Sequence, residues 1–244
     1  MTQTIAIANF KGGVGKTTSA LNIGAGLARM GKKVLLIDSD PQANLSNSLG
    51  VGEVTATLYR ILRKMEPIQA IPVAERLWLI PSSLELNKAE LELAGEFRRE
   101  EMLNRLLQGW REQFDFVLID CPPSLGLLTI NAFVASDAIW VPVEAEYLAL
   151  KGYAILTEAI GAIGLEIDKA FVTKYDHRKV LNRDVKDSIS QVLGDKLFKT
   201  IIRDNISLAE APTQALDIFT YQPKSYGALD YEALCSEILE LYKK

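Results

Sequence analysis

The sequence predicts an α/β fold: a mostly parallel, twisted sheet with helices on both faces, built as a single domain. Three observations carry this. Short β-branched or aliphatic runs alternate with longer segments of helical periodicity. The runs are almost continuously apolar, as strands buried on both faces must be. The 244 residues suffice for one sizeable α/β core. Alternation of this kind makes parallel strands joined by right-handed crossovers.

Taken in order, "TIAIAN" (4–9) opens the chain as a buried strand and runs into a glycine-rich turn. Thr17–Met30 follows with apolar residues at helical spacing, then the aliphatic run "KVLLID" (33–38). "LWLIP" (77–81) is a strand stopped by proline, and Leu84–Gln108 carries a helical pattern. "FDFVLID" (114–120) and "DAIWVPV" (137–143) are strands, with helical patterns over Glu146–Ile163 and Val180–Leu193. "KAFVTKY" (169–175) and "KLFKTII" (196–202) complete the strand set, and "YEALCSEILELYKK" closes the chain. In that last segment Leu234, Ile238 and Leu241 form an apolar stripe beside Glu232, Glu237 and Glu240, which reads as a packing helix with Lys243 and Lys244 as a frayed tip. There is no internal repeat, low-complexity tract or Pro/Gly/Ser linker.

Composition sets limits on function. Apolar residues make up 48% and charged residues 24%, an ordinary globular balance that excludes disorder and fibrous repeats. The net charge of −4 excludes a protein that coats nucleic acid through its overall charge, so any such contact comes from one basic face. The longest apolar stretch, Leu148 to Leu165, is interrupted by Lys151 and Glu158 and falls short of a membrane span. "MTQTIAIANF" lacks the basic region of a signal peptide, and cytoplasm is the expected compartment. Cys121 and Cys235 have neither disulfide nor metal-ligand spacing, and His177 has no second ligand nearby.

In open sheets of this type ligands bind beyond the carboxyl ends of the strands. Three polar clusters converge there: Lys11–Thr18 after the first strand, Asp38 and Asp40 after the second, and Asp120 after the fourth. The P-loop pattern GxxxxGKS/T fails by one position, because Phe10 stands where its first glycine belongs. The segment Lys11, Gly12, Gly13, Val14, Gly15, Lys16, Thr17, Thr18 is nevertheless a phosphate cradle. Glycine tolerates φ > 0, which lets backbone N–H groups turn onto phosphate oxygens. A helix from Thr17 adds its N-terminal amides. Lys16 then meets the β and γ phosphates, and the Thr17 hydroxyl ligates Mg²⁺. A second lysine, Lys11, is surplus to such a cradle.

"KGGVGKTT" (11–18) resembles the deviant Walker A motif of the ParA/MinD family of P-loop ATPases, and Lys11 matches its signature lysine. "DSDPQANLS" (38–46) is similar to the family's switch I, "FDFVLIDCPPSLG" (114–126) to its Walker B strand and switch II, and the likeness extends through "VPVEAEYLALKGY", "VTKYDHR" and "LAEAP". The resemblance implies a P-loop NTPase with ATP and Mg²⁺ as cofactors and slow ATP hydrolysis. It implies a homodimer that sandwiches two ATP molecules, with Lys11 reaching the neighbour's phosphates. Asp40 is implied to position or activate the attacking water, and Asp40, Thr17 and Asp120 to serve the metal, Asp120 through water. The base is implied to lie near Thr173, Lys174, Arg203 and Asp204.

Within the family, the iron-protein type needs cluster-holding cysteines, a pattern that Cys121 and Cys235 do not match. The MinD type ends in a basic lipid-binding helix, whereas this terminus is acidic, so no membrane is expected as a partner. The short, Soj-like ParA type remains, with no N-terminal helix-turn-helix. That type implies segregation of plasmid or chromosomal DNA, non-specific DNA binding by the ATP dimer, association with the nucleoid, and a ParB-like activator. Asp204, Ser207, Leu216 and Tyr226 stand where family members often carry basic residues. A substitute basic face is offered by Lys179, Arg183 and Lys186 at i, i+4 and i+7, with Arg178, Lys199 and Arg203 as further candidates. The alternative is a positioning ATPase of the same design for a protein cargo. A metabolic ligase on the same scaffold would need a small-substrate pocket for which no residues are evident.

Overall fold

Successive residues of the central strands face opposite ways, and both faces are apolar. Ile5 and Ile7 pack on one side of the sheet with Leu36 and Leu118, while Ala6, Ile37 and Ile119 pack on the other. Two cores result, one on each face, as a doubly covered sheet requires. The computed structural model describes residues 1–64 and 66–243; Lys244, one of the two lysines of the expected frayed tip, lies outside them.

Among the described residues the sheet has eight strands: β1 (Gln3–Ile7), β2 (Val34–Asp38), β3 (Ile71–Ala74), β4 (Leu77–Ile80), β5 (Phe116–Asp120), β6 (Ala138–Glu144), β7 (Lys169–Tyr175) and β8 (Leu197–Arg203). Their order is β3-β4-β2-β5-β1-β6-β7-β8. All neighbours are parallel except β3 and β4. Strand β3 is not among the strands expected from the sequence, because "IPVA" contains Pro72. Its pairing with β4 is irregular between Pro72 and Ala74, and an edge strand tolerates a residue that cannot donate to a ladder.

The helices are α1 (Lys16–Arg29), α2 (Asn44–Ser48), α3 (Leu58–Leu62), α4 (Ala89–Glu92), α5 (Met102–Leu107), α6 (Leu127–Val134), α7 (Ala149–Ala162), α8 (Val180–Leu193), α9 (Ser207–Glu210), α10 (Ile218–Tyr221) and α11 (Tyr226–Leu241). The helical pattern expected over Leu84–Gln108 is broken into short turns, with α4 and α5 as its only α-helical pieces. Gly95 and the left-handed Arg98 (φ 53°) interrupt it. Leu86, Leu93, Leu103 and Leu107 still reach the core from separate turns, so burial is satisfied without a continuous helix.

Helix α1 lies tight against the sheet because it carries glycine where it crosses its neighbours. A Cβ on Gly24 would come 2.7 Å from Leu36, and one on Gly26 would come 2.6 Å from the Cys235 sulfur. The neighbour at Gly26 is α11, capped by the Ser225 hydroxyl accepting from the Ala228 N–H. Leu234, Cys235 and Ile238 are buried there, whereas Leu241, expected in the same stripe, is 44% exposed. Among the described residues no helix is long and apolar enough to cross a membrane.

Candidate active site

The parallel register brings the predicted clusters together. Asp38 and Asp120 end β2 and β5 as direct neighbours, and Asp120 also pairs with Ile7 at the end of β1. From there the chain enters the loop that precedes α1. Gly13 and Gly15 have φ of 77° and 93°, the left-handed region where glycine alone is unstrained. Gly12 is exposed, does not share this conformation, and needs no such licence. Gly15 caps α1, which begins at Lys16, one residue earlier than the sequence pattern suggests. Four features of a phosphate cradle therefore coincide: a glycine turn, a helix N-terminus, a buried lysine and nearby acidic residues.

Lys16 is 7% exposed, and its ammonium donates to the Lys11 carbonyl at 3.2 Å. Burial lowers its pKa, against the attraction of Asp120 and Asp40. Asp120 is fully buried, and neither carboxylate oxygen has a hydrogen-bond partner. Burial pushes its carboxyl well up, reinforced by Asp38 and Asp40 and opposed by the Thr17 hydroxyl and Lys16. Asp38 is also fully buried. It accepts from the Ser46 N–H at 2.9 Å, the Ser46 hydroxyl at 2.7 Å and the Asp40 N–H at 3.2 Å. Its carboxyl is pushed up to about 6, chiefly by burial. Asp40, 7% exposed, accepts from the Gln42 N–H at 2.9 Å.

Three buried acids, Asp38, Asp40 and Asp120, share one buried ammonium, which Asp40 and Asp120 attract, so a further cation would be needed to keep all three ionised. The orphaned oxygens of Asp120 are the point at which a hard cation fits. Among the described residues no group of three or more His, Cys, Asp or Glu side chains is arranged to hold a metal by itself. That suits Mg²⁺, which takes most of its ligands from phosphate and water.

Lys11 is placed quite differently. Its side chain is 44% exposed, and its ammonium lies 2.8 Å from Glu144 and 2.5 Å from Glu146. Burial alone would lower its pKa, but the two glutamates outweigh this and raise it. Glu144 and Glu146 are residues that sequence reasoning missed as site members. Their segment, "VPVEAEY", was legible only as a family likeness, because the contact spans 133 residues.

A cavity of about 130 Å³ adjoins the cradle, lined by Gly15, Thr18, Thr173, Lys174, Arg203 and Asp204 among others. It gathers the residues expected around the base. Thr173 is buried and donates to the Val14 carbonyl at 2.8 Å, tying β7 to the loop. Leu208 and Tyr231, unforeseen, also form part of the wall. Tyr231 shares a 2.9 Å hydrogen bond with Ser19 of α1. Arg203 is engaged by Asp230, at 2.6 Å to its Nη2, and its guanidinium stacks 4.0 Å over Tyr226.

The basic candidates fall into three groups. Lys179 and Arg183 are exposed at the start of α8, and Arg183 donates to the His177 carbonyl. Lys186 is partly covered, pairs with Asp187 at 2.6 Å, and shares a hollow with Lys199. Arg203 is bound to α11 instead.

Residues 2–173 match the family model described as an AAA domain. The crystal structure of cobyrinic acid a,c-diamide synthase from Mycobacterium smegmatis with bound ADP and magnesium superposes with a TM-score of 0.88 at 31% identity, covering 100% of this chain and 96% of that one. Fold and cradle together define a P-loop ATPase. Over 249 residues the chain is 41% identical to the chromosome-partitioning ATPase Soj of Treponema pallidum (strain Nichols), covering 98% of each. It is 39% identical to the chromosome partitioning protein ParA of Caulobacter vibrioides (strain NA1000 / CB15N), covering 97% of this chain and 94% of that one. The chain belongs to the Soj/ParA family of these ATPases.

Proposed function

We propose that this ATPase is a dimerisation switch that segregates or positions DNA. ATP closes two subunits face to face, and slow hydrolysis reopens them. The observation that carries this reading is the division between the two lysines. Lys16 lies buried beside Asp40 and Asp120, while Lys11 stands half-exposed at the rim.

In this account the loop amides of Gly12 to Gly15 and the N-terminus of α1 bind the phosphates, and Lys16 contacts the β and γ oxygens. Thr17, Asp40 and Asp120 are the residues that would hold Mg²⁺. When bound, the metal would offset the negative charge that develops on the phosphates during transfer. Asp40 orients the attacking water. Lys11 of each subunit reaches its neighbour's triphosphate and stabilises the transferring group, as an arginine finger does. Thr18, Thr173, Lys174, Arg203 and Asp204 receive the base. Because ATP favours the closed pair, occupancy and pairing are coupled.

The dimer contacts DNA without sequence preference through the exposed α8 face, Lys179 and Arg183 first, with Lys186 and Lys199 beside them. A ParB-like protein stimulates hydrolysis and releases it. Support comes from the likeness to the two partitioning relatives, from the exposure of Lys179 and Arg183, and from the hollow that Lys186 shares with Lys199. Binding to random duplex DNA, measured with and without ATP across a salt series, tests it. ATP-dependent affinity that falls steeply with salt is expected. Weak, salt-insensitive binding points instead to a protein cargo moved by the same switch.

A further inference from the structure

We propose that Glu144 and Glu146 are positioning residues that hold Lys11 against its own subunit in the nucleotide-free chain and release it when two subunits close. This rests on the reading that Lys11 acts across the interface. The backbone around Lys11 is already fixed. Its N–H donates to the Asn9 side chain at 3.0 Å, and Asn9 donates to the Pro142 carbonyl at 2.8 Å, on the strand that carries Glu144. The movable part is the four-carbon side chain, so switching partners needs a change of rotamer and no loop rearrangement.

The chain turn after β6 places the two carboxylates for this task. Glu144 is the last residue of the strand, and beyond it the backbone bends so that the Glu146 N–H closes back on the Glu144 carbonyl at 2.8 Å. Both carboxylates then meet one ammonium. The arrangement is asymmetric. Lys174 lies 3.8 Å from the other oxygen of Glu144, so that carboxylate keeps a cation nearby when Lys11 departs. Among the described residues Glu146 has no other ion-pair partner than Lys11. Removing the Glu146 charge therefore frees Lys11 more than removing that of Glu144.

Partly exposed pairs of this kind are weak and screened by salt. The effect is magnified by symmetry, because closing one dimer opens two latches. A factor of about 3 per subunit becomes about 10 in the dimer dissociation constant.

The test uses the full chain as wild type, Glu144→Gln, Glu146→Gln and the double variant. Without nucleotide, the acylation rate of the Lys11 amine by acetic anhydride is followed by mass spectrometry. With ATP and Mg²⁺, the dimer midpoint is read by sedimentation velocity. We expect Lys11 acylation to rise about threefold in Glu146→Gln and less in Glu144→Gln, and the double variant to dimerise at about tenfold lower concentration. Unchanged acylation in the double variant overturns the latch whatever the dimer does. Faster acylation with an unchanged or higher midpoint shows that the glutamates hold Lys11 without governing pairing, and overturns the proposal while leaving the trans reading intact. Faster acylation in a chain that stays monomeric with ATP, wild type included, overturns both.

Discussion

The Lys16 ammonium donates to the Lys11 carbonyl at 3.2 Å, so the buried lysine of the loop rests on the backbone of the exposed one. A single acceptor is a poor environment for a buried ammonium whose pKa burial already lowers. Triphosphate oxygens would replace that acceptor with several charged ones. Lys16→Ala should therefore weaken ATP binding at least about 100-fold by isothermal calorimetry, the scale of removing a buried charge-assisted hydrogen bond. Affinity within threefold of wild type would remove Lys16 from the cradle.

Asp40 is assigned to the attacking water and the metal, and the phosphates themselves are held by the loop amides and Lys16. Asp40→Ala should bind ATP and remain dimeric while phosphate release drops by about 100-fold or more, the range for loss of a group that orients a nucleophile. Turnover equal to wild type would refute the assignment.

The buried acids make stability depend on pH in a direction that can be worked out. The Asp38 carboxyl, ordinarily near 3.8, is pushed up to about 6 by burial. A raised carboxyl favours the fold while it is protonated. Its contribution is complete below pH 3.8 and is lost as pH rises through 6. The swing is on the order of 3 kcal/mol at about 1.4 kcal/mol per pH unit. In urea unfolding without nucleotide or Mg²⁺, Asp38→Asn should gain about that much relative to wild type between pH 4 and pH 7. A difference that does not change with pH would show that Asp38 is not the strained acid.

The α8 face makes a prediction about slope. Replacing Lys179 and Arg183 together by alanine should lower affinity for random duplex DNA and reduce the log–log salt slope by about 2, nearly one for each phosphate no longer neutralised. Mutating Arg203, whose guanidinium is held by Asp230, should leave the slope unchanged. The reverse pattern in a fluorescence anisotropy titration would move the interface off α8.

Much of this site is legible in the sequence because its parts sit where α/β strands end. The glycine loop, Asp38, Asp40 and Asp120 need only the strand pattern to be placed on one rim, and the register delivers them as neighbours. What escaped depends on pairings between distant residues. No local spacing reports that Glu144 and Glu146 meet Lys11, or that Asp230 and Tyr226 claim Arg203. The edge strand at Ile71–Ala74 was hidden by Pro72, and the break in 84–108 by a leucine spacing that short turns satisfy as well as a helix does.

The central claim is that a cation from each subunit completes its neighbour's triphosphate pocket. Sedimentation of wild type and Lys11→Ala with ATP and Mg²⁺, with bound nucleotide measured in the same samples, tests it most directly. The account predicts a dimeric wild type and a Lys11→Ala variant that keeps its ATP yet stays monomeric. A wild type that remains monomeric when loaded, or a Lys11→Ala variant that pairs as well as wild type, would contradict it.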